Sequence, residues 1–161
     1  MTISFLANVG SRDVIAEGRA NLPKDSRTLG EMILADWEQY RSDLRLPILV
    51  KALEAVVKKH SKVDHIFLFA SDQHDKAYRH TDTLPFAQIV KQVLKERYGG
   101  WIETATEIVT ISDNPSDYDK MLYFYSNSLQ RIADQLQGDY SIYAAVSGGT
   151  PAMSFMLLWQ G

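Results

Sequence analysis

Two short segments of this 161-residue sequence carry the residue types that handle an anionic ligand. In Asn8-Val9-Gly10-Ser11-Arg12-Asp13, Asn8 and Ser11 offer neutral donors and acceptors, Gly10 lets the backbone come close to a ligand, and Arg12 can fork onto a phosphate or carboxylate. In Ser147-Gly148-Gly149-Thr150-Pro151-Ala152-Met153, two glycines permit tight curvature. Thr150 is a good helix N-cap there, and Pro151 suits the first helical position, where its missing N–H costs nothing. A loop of that kind binds anions through backbone N–H groups and the helix dipole, without net positive charge. Taken alone, the first segment also reads as a capped turn with an exposed ion pair, and the second as a strand-to-helix turn held by its cap.

Two further clusters are less specific. Ser71-Asp72-Gln73-His74-Asp75, followed by His80-Thr81-Asp82-Thr83, concentrates polar groups that match no established metal-ligand spacing, so it reads as a solvated or ligand-contacting loop. Ser112-Asp113-Asn114-Pro115-Ser116-Asp117 reads as turn chemistry and a helix cap, with charge that would repel phosphate. No G-x-x-x-x-G-K-[ST] is present and no G-x-G-x-x-G follows the first strand, which weighs against triphosphate and dinucleotide binding. Ala145-Val146-Ser147-Gly148-Gly149 has the look of a degenerate nucleophile elbow. The hydrolase order needs a histidine after the serine, however, and the four histidines stand at 60, 65, 74 and 80.

The elements that must position these segments follow from periodicity. Four apolar, β-branched or aromatic runs (Ile3 to Val9, Ile66 to Ala70, Glu107 to Ile111, Tyr140 to Val146) alternate with stretches of helical period, which predicts an α/β fold with a mainly parallel sheet. The expected helices are Thr28 to Tyr40, Ile48 to Lys59, Thr83 to Tyr98 and Ser116 to Gln137, with a last one over Pro151 to Gln160. Gly10 to Arg27 is long, polar and carries Pro23, and reads as a mobile loop. In an open parallel sheet ligands gather at the carboxyl ends of the strands, which is where all four polar clusters fall. The sheet reads as cut short after the fourth strand, within a single domain spanning residues 1–161.

Composition sets the outer limits. At 45% hydrophobic and 23% charged residues the chain matches an ordinary globular domain. The longest unbroken apolar runs are five residues, such as Ile66 to Ala70, against the roughly 20 of a membrane span. Zero cysteines exclude disulfides, thiolate metal sites and cysteine catalysis, and with no leader-like start the expected location is the cytoplasm. A net charge of -3 provides no global field for long nucleic acid.

The two glycine-bearing strand exits together resemble the CRISPR-associated Rossmann-fold (CARF) sensor domains. The stretch from Ser147 to Met153 is the more specific match. Ser71-Asp72-Gln73 and Thr81-Asp82-Thr83 resemble the family's second-strand loop, so the likeness spans nearly the whole chain. The resemblance implies a Rossmann-like domain with helices on both faces of its sheet. It further implies a homodimer, with the paired first-strand and fourth-strand loops forming one cleft at the two-fold axis. That cleft would bind a cyclic oligoadenylate (cyclic tetra-adenylate or cyclic hexa-adenylate), the second messenger of type III CRISPR antiviral defence. Ligand contacts are then expected from Asn8, Val9, Gly10, Ser11, Arg12, Asp13, Ser71, Asp72, Gln73, Thr81, Asp82, Ser147, Gly148, Gly149, Thr150, Pro151 and Met153, with no cofactor and no metal. Family members generally carry an effector, often a nuclease, after the sensor, and this sequence holds the sensor alone. Some also cut their ligand as ring nucleases, for which Ser11, Arg12 and Thr150 are the candidates to orient and stabilise the phosphate. A Rossmann-like mononucleotide-binding protein or enzyme, using the same helix-end phosphate site, is the alternative from another class.

Overall fold

The computed structural model describes residues 1–136, 138–145 and 148–160. The chain begins with β1 (Thr2–Asn8), β2 (Ile15–Ala16), α1 (Ser26–Ala35), α2 (Trp37–Tyr40), β3 (Leu44–Arg45) and α3 (Leu49–His60). It continues with β4 (His65–Ser71), α4 (Leu84–Arg97), β5 (Glu107–Ile111), α5 (Tyr118–Gln135), β6 (Tyr140–Ala145) and α6 (Pro151–Gln160). Strands β5, β4, β1 and β6 lie in that order in one sheet, every pair parallel. This is the α/β, mainly parallel architecture that the alternation of patterns predicts.

Side chains along β1 divide the core in two. Ile3, Phe5 and Ala7 join Ile66, Leu68 and Ala70 of β4 in a cluster closed by Ile33 of α1, Leu53 of α3 and Ile89 of α4. Leu6 joins Phe67, Phe69, Val109 and Ile111 in a second cluster, closed by Met121 and Tyr125 of α5 and Met156 of α6. The near-continuous apolar runs of β1 and β4 are thus explained by helices on both faces. Three caps fix where the covering helices start: Asp25 accepts from Thr28 N (3.0 Å), Asp117 from Lys120 N (3.1 Å), and Thr150 Oγ1 from Met153 N (3.2 Å).

Two expectations need correction. The helix expected from Thr28 to Tyr40 is two helices, parted at Asp36, whose N–H turns back to Ile33 O (3.3 Å). The stretch from Gly10 to Arg27 is not a free loop. Ile15 and Ala16 pair antiparallel with Arg45 and Leu44, Val14 is buried, and Arg19 donates to Asp43 (2.9 Å). A two-residue strand lies below what periodicity can detect, which is why only polarity was visible there.

The strand order has one consequence for function. From β1 the chain steps to β4 and on to β5, then crosses back to place β6 on the other flank of β1. The crossovers therefore diverge between β1 and β6, and a crevice opens outside the carboxyl ends of these two strands.

Candidate functional site

The β1 and β6 exits pack so closely at this switch point that side chains are excluded. A Cβ on Gly10 would fall 2.5 Å from Gly149 N, and one on Gly148 would collide with Asn8 O while standing 2.5 Å from Asp13 Oδ2. Gly149 has φ +81°, a conformation that favours glycine. Asp13 ties the junction together: buried, it accepts from Gly10 N at 2.6 Å. Burial pushes its carboxyl above the usual range, and the Gly10 hydrogen bond only partly offsets this.

Thr150 fixes the far side of the junction. Its hydroxyl donates to Pro115 O while accepting from Met153 N, so the α6 cap is welded to the β5 exit. The Thr150 hydroxyl proton is therefore committed to structure. Beneath, Asn8 is buried and accepts from the Tyr125 hydroxyl (2.5 Å), whose own pKa burial pushes up. Asn8 Nδ2 has no partner among the described residues.

These exits open onto a cavity of about 780 Å³. Val9, Gly10 and Ser11 line it from the β1 exit, and Gly149, Thr150 and Met153 from the start of α6. Ser71, Gln73 and Thr81 complete the part expected from sequence. Arg12, Asp13 and Gly148 instead line an adjoining recess of about 240 Å³, which shares Gly10, Ser11 and Gly149 with the main cavity. Arg12 is exposed and has no ion-pair partner among the described residues, so its guanidinium stands available beside the glycine loop. Asn8, Asp72, Asp82 and Pro151 line neither space, and Ser147 lies outside the described residues.

Asp82 and Asp72 act from behind the wall. Asp82 is fully buried and accepts from Arg27 Nη2 (2.9 Å), Gln73 N (3.0 Å) and Gln73 Nε2 (2.9 Å). Asp72 accepts from the same Arg27 nitrogen at 2.6 Å. Burial opposes the Arg27 charge, but hydrogen bonds to Asp82, Asp72 and Glu31 outweigh it and raise its pKa. Ser71 and Thr83 brace the strand end: Ser71 N donates to Thr83 Oγ1 and Thr83 N to Ser71 Oγ, both at 3.1 Å.

Lys24, Asp25, Ser26 and Tyr78 escape the sequence reading, while His80 and residues 114 to 116 belong to polar clusters it names at strand exits. Lys24, Asp25 and Ser26 reach the cavity from the start of α1, Tyr78 and His80 from the 3₁₀ turn Lys76–Thr81, and Asn114, Pro115 and Ser116 from the β5 exit. The last group adds cavity lining to the turn and helix-cap chemistry expected at this exit, where Asn114 Oδ1 accepts from Ser116 N and Asp117 from Lys120 N. His80 stands near enough to Asp25 for its charge to help lower the Asp25 carboxyl, after the dominant hydrogen bonds from Thr28. Position in a parallel sheet was the available clue for 114 to 116. Nothing local to Lys24 or Tyr78 announces where the chain brings them.

No family model and no curated protein sequence matches the chain. Among solved structures it is similar to Enterococcus italicus Csm6 bound to cyclic hexa-2′-fluoro-hexa-dAMP, with a TM-score of 0.50 and 15% sequence identity over 99% of this chain. The chain shares the fold of that part of Csm6. It spans 30% of the Csm6 chain. At this identity the likeness carries the fold alone, and the fold is the Rossmann-like one that the resemblance to CARF domains implies. Among the described residues no helix is long and apolar enough to cross a membrane.

Proposed function

We propose that this chain is a CARF-type sensor domain that binds a cyclic oligoadenylate and regulates an attached effector in type III CRISPR antiviral defence, in the cytoplasm. The observation that carries this reading is the junction of the β1 and β6 exits at the switch point. There Gly10, Gly149 and the start of α6 border a cavity that reaches every strand exit of the sheet, and Arg12 stands in the recess that adjoins it. Backbone N–H groups and one guanidinium suit phosphates, and the neutral side chains of the β4 and β5 exits suit bases. The fold shared with Csm6, which was solved with a cyclic hexanucleotide analogue, points the same way.

A homodimer is part of the proposal. Tyr118 and Leu122, one turn apart on α5, are exposed, as are Phe155 and Leu158, one turn apart on α6. The rings of Tyr118 and Phe155 meet edge to face at 6.0 Å. This apolar strip begins beside cavity-lining Ser116 and Thr150, so two-fold pairing through it would set two cavities side by side.

Ring cleavage is a second reading, favoured by His80 and Lys24 on the cavity wall with Ser11. The ribose 2′-oxygen would attack the adjoining phosphorus, its proton passing to the His80 imidazole. The bond to the 5′-oxygen would break, and that oxygen would leave with a proton from the Lys24 ammonium. The products are linear, with 2′,3′-cyclic phosphate ends.

Calorimetry with cyclic tetra-adenylate, cyclic hexa-adenylate and adenosine monophosphate tests the binding proposal. One ring per dimer is expected for one of the two ring sizes. Monophosphate saturating at one per chain, with neither ring bound, replaces the proposal with a mononucleotide site. Chromatography of the same samples in a chelator tests cleavage. Slow product formation that His80→Gln and Ser11→Ala both reduce is expected, and an intact ring after long incubation rules cleavage out.

A further inference from the structure

The hydrogen bonds of Gln73 fix which end of its amide a ligand can meet. The side chain is held behind the cavity wall, and the residue is only 4% exposed. Its Nε2 lies 2.9 Å from Asp82 Oδ1 and 3.2 Å from Tyr78 O. Both of these are acceptors, and together they take both amide hydrogens. Rotating the amide by half a turn would set its oxygen against a carboxylate and a carbonyl, so the orientation is forced. Asp82 in turn cannot surrender its role, because it is fully buried against Arg27 and also accepts from Gln73 N. Gln73 Oε1 is left without a partner among the described residues and is not among the buried unpaired atoms. The surface that Gln73 still exposes belongs to the main cavity.

The surroundings decide what this acceptor would meet. Phosphates are themselves acceptors, so Gln73 Oε1 offers them no hydrogen bond, and the charges of Asp72 and Asp82 behind it are met by Arg27. The groups suited to the anion are the Gly149 loop at the start of α6 and Arg12 in the adjoining recess. Beside Gln73 stands the exposed ring of Tyr78, which can stack on a base. Building on the sensor reading above, we infer that Gln73 Oε1 accepts from the exocyclic amine of the bound base. The β4 exit is thereby a specificity element that selects adenine over hypoxanthine, and Asp82 is the positioning residue that locks it. A base with a carbonyl at that position would turn an acceptor toward an acceptor.

The test compares cyclic adenylate rings of four and six units with the matching cyclic inosinate rings, by calorimetry on the whole chain. Adenylate is expected to bind about tenfold to a hundredfold more tightly than inosinate, the range set by one buried acceptor left unpaired. In Gln73→Met, adenylate binding should weaken by a similar factor while inosinate binding holds or improves, a split that general loosening of the loop would not give. Equal binding of adenylate and inosinate by the parent overturns the inference and leaves the sensor reading standing. This arm needs no variant to fold. Failure of every ring to bind overturns both. Equal weakening of both rings in a folded Gln73→Met also overturns it, because Gln73 would then serve the loop and not the base.

Discussion

At the scale of single residues, the β1–β6 junction works because glycines remove side chains where two loops must share one space. Substituting Gly149 by aspartate forces a non-glycine residue into the left-handed region, at a cost of about 1–2 kcal/mol. Its Cβ would come within 2.9 Å of Met153 Cε, the far end of a flexible side chain that can move aside. We expect a folded but less stable protein whose affinity for the cyclic ring falls at least a hundredfold, because a carboxylate faces the phosphate site. Ring binding as tight as the parent's in that variant would mean that the loop is only a turn. Asp13 makes a separate prediction through pH. Its folded pKa lies above the unfolded value, so the native state holds the proton more firmly. Its support for the fold is therefore complete below about pH 4 and is lost as pH rises through the folded value. Asp13→Asn keeps an acceptor for Gly10 N but never ionises. The stability of the variant relative to the parent, read from urea unfolding at pH 4 and pH 7, should increase with pH; a constant difference would contradict this.

At the scale of elements, the wall of the cavity is one hydrogen-bonded unit. Arg27 at the start of α1 holds Asp82 and Asp72, donates through Nε to Arg79 O, and so ties α1 to the 3₁₀ turn and the β4 exit. Ser26 Oγ adds a bond to Asp82 O at 2.9 Å. Asp82→Ala would leave Gln73 N without its acceptor and Gln73 Nε2 with Tyr78 O alone, while Arg27 keeps Asp72 and Glu31, a loss of about 1–3 kcal/mol for a buried donor left unpaired. Urea unfolding should show a midpoint shift of that size, whereas a loss under 1 kcal/mol would mark the network as a surface feature. Legibility from sequence follows the same division. The long strands and helices were readable because their periodicity runs over five or more residues, and Glu107–Ile111 and Pro151–Gln160 fall where the pattern sets them. Asp72 and Asp82 were readable as polar and near a strand exit. That they serve Arg27 across 45 and 55 residues, and not the cavity directly, depends on tertiary placement that no local window contains. Thr150 likewise reads as a cap from sequence, while its donation to Pro115 O requires the segment after β5 to reach past the β4 and β1 exits, since β5 and β6 lie at opposite edges of the sheet.

At the scale of the whole molecule, the central strands β1 and β4 are covered on both faces, yet the covering helices α5 and α6 present apolar side chains outward. Leu158 is 68% exposed and Phe155 50%, on the same short helix whose inner side buries Met153 and Leu157. A ten-residue helix that is apolar on both sides is what a buried element requires, not a surface one. Pairing two chains through this strip would bury it, and it would also join the cavities, since α6 starts at the glycine junction. An even-membered ring suits such a two-fold site. The expected outcome is that light scattering at tens of micromolar reports a dimer for the parent, and that Phe155→Glu with Leu158→Glu gives a folded monomer. The paired substitution leaves every cavity-lining residue in place. Its ring affinity should nonetheless drop sharply, because each half-site would hold only half of the ligand. A parent that stays monomeric with and without the ring would overturn the shared cleft. A monomeric double variant that still binds with the affinity of the parent would show that each chain carries a complete site.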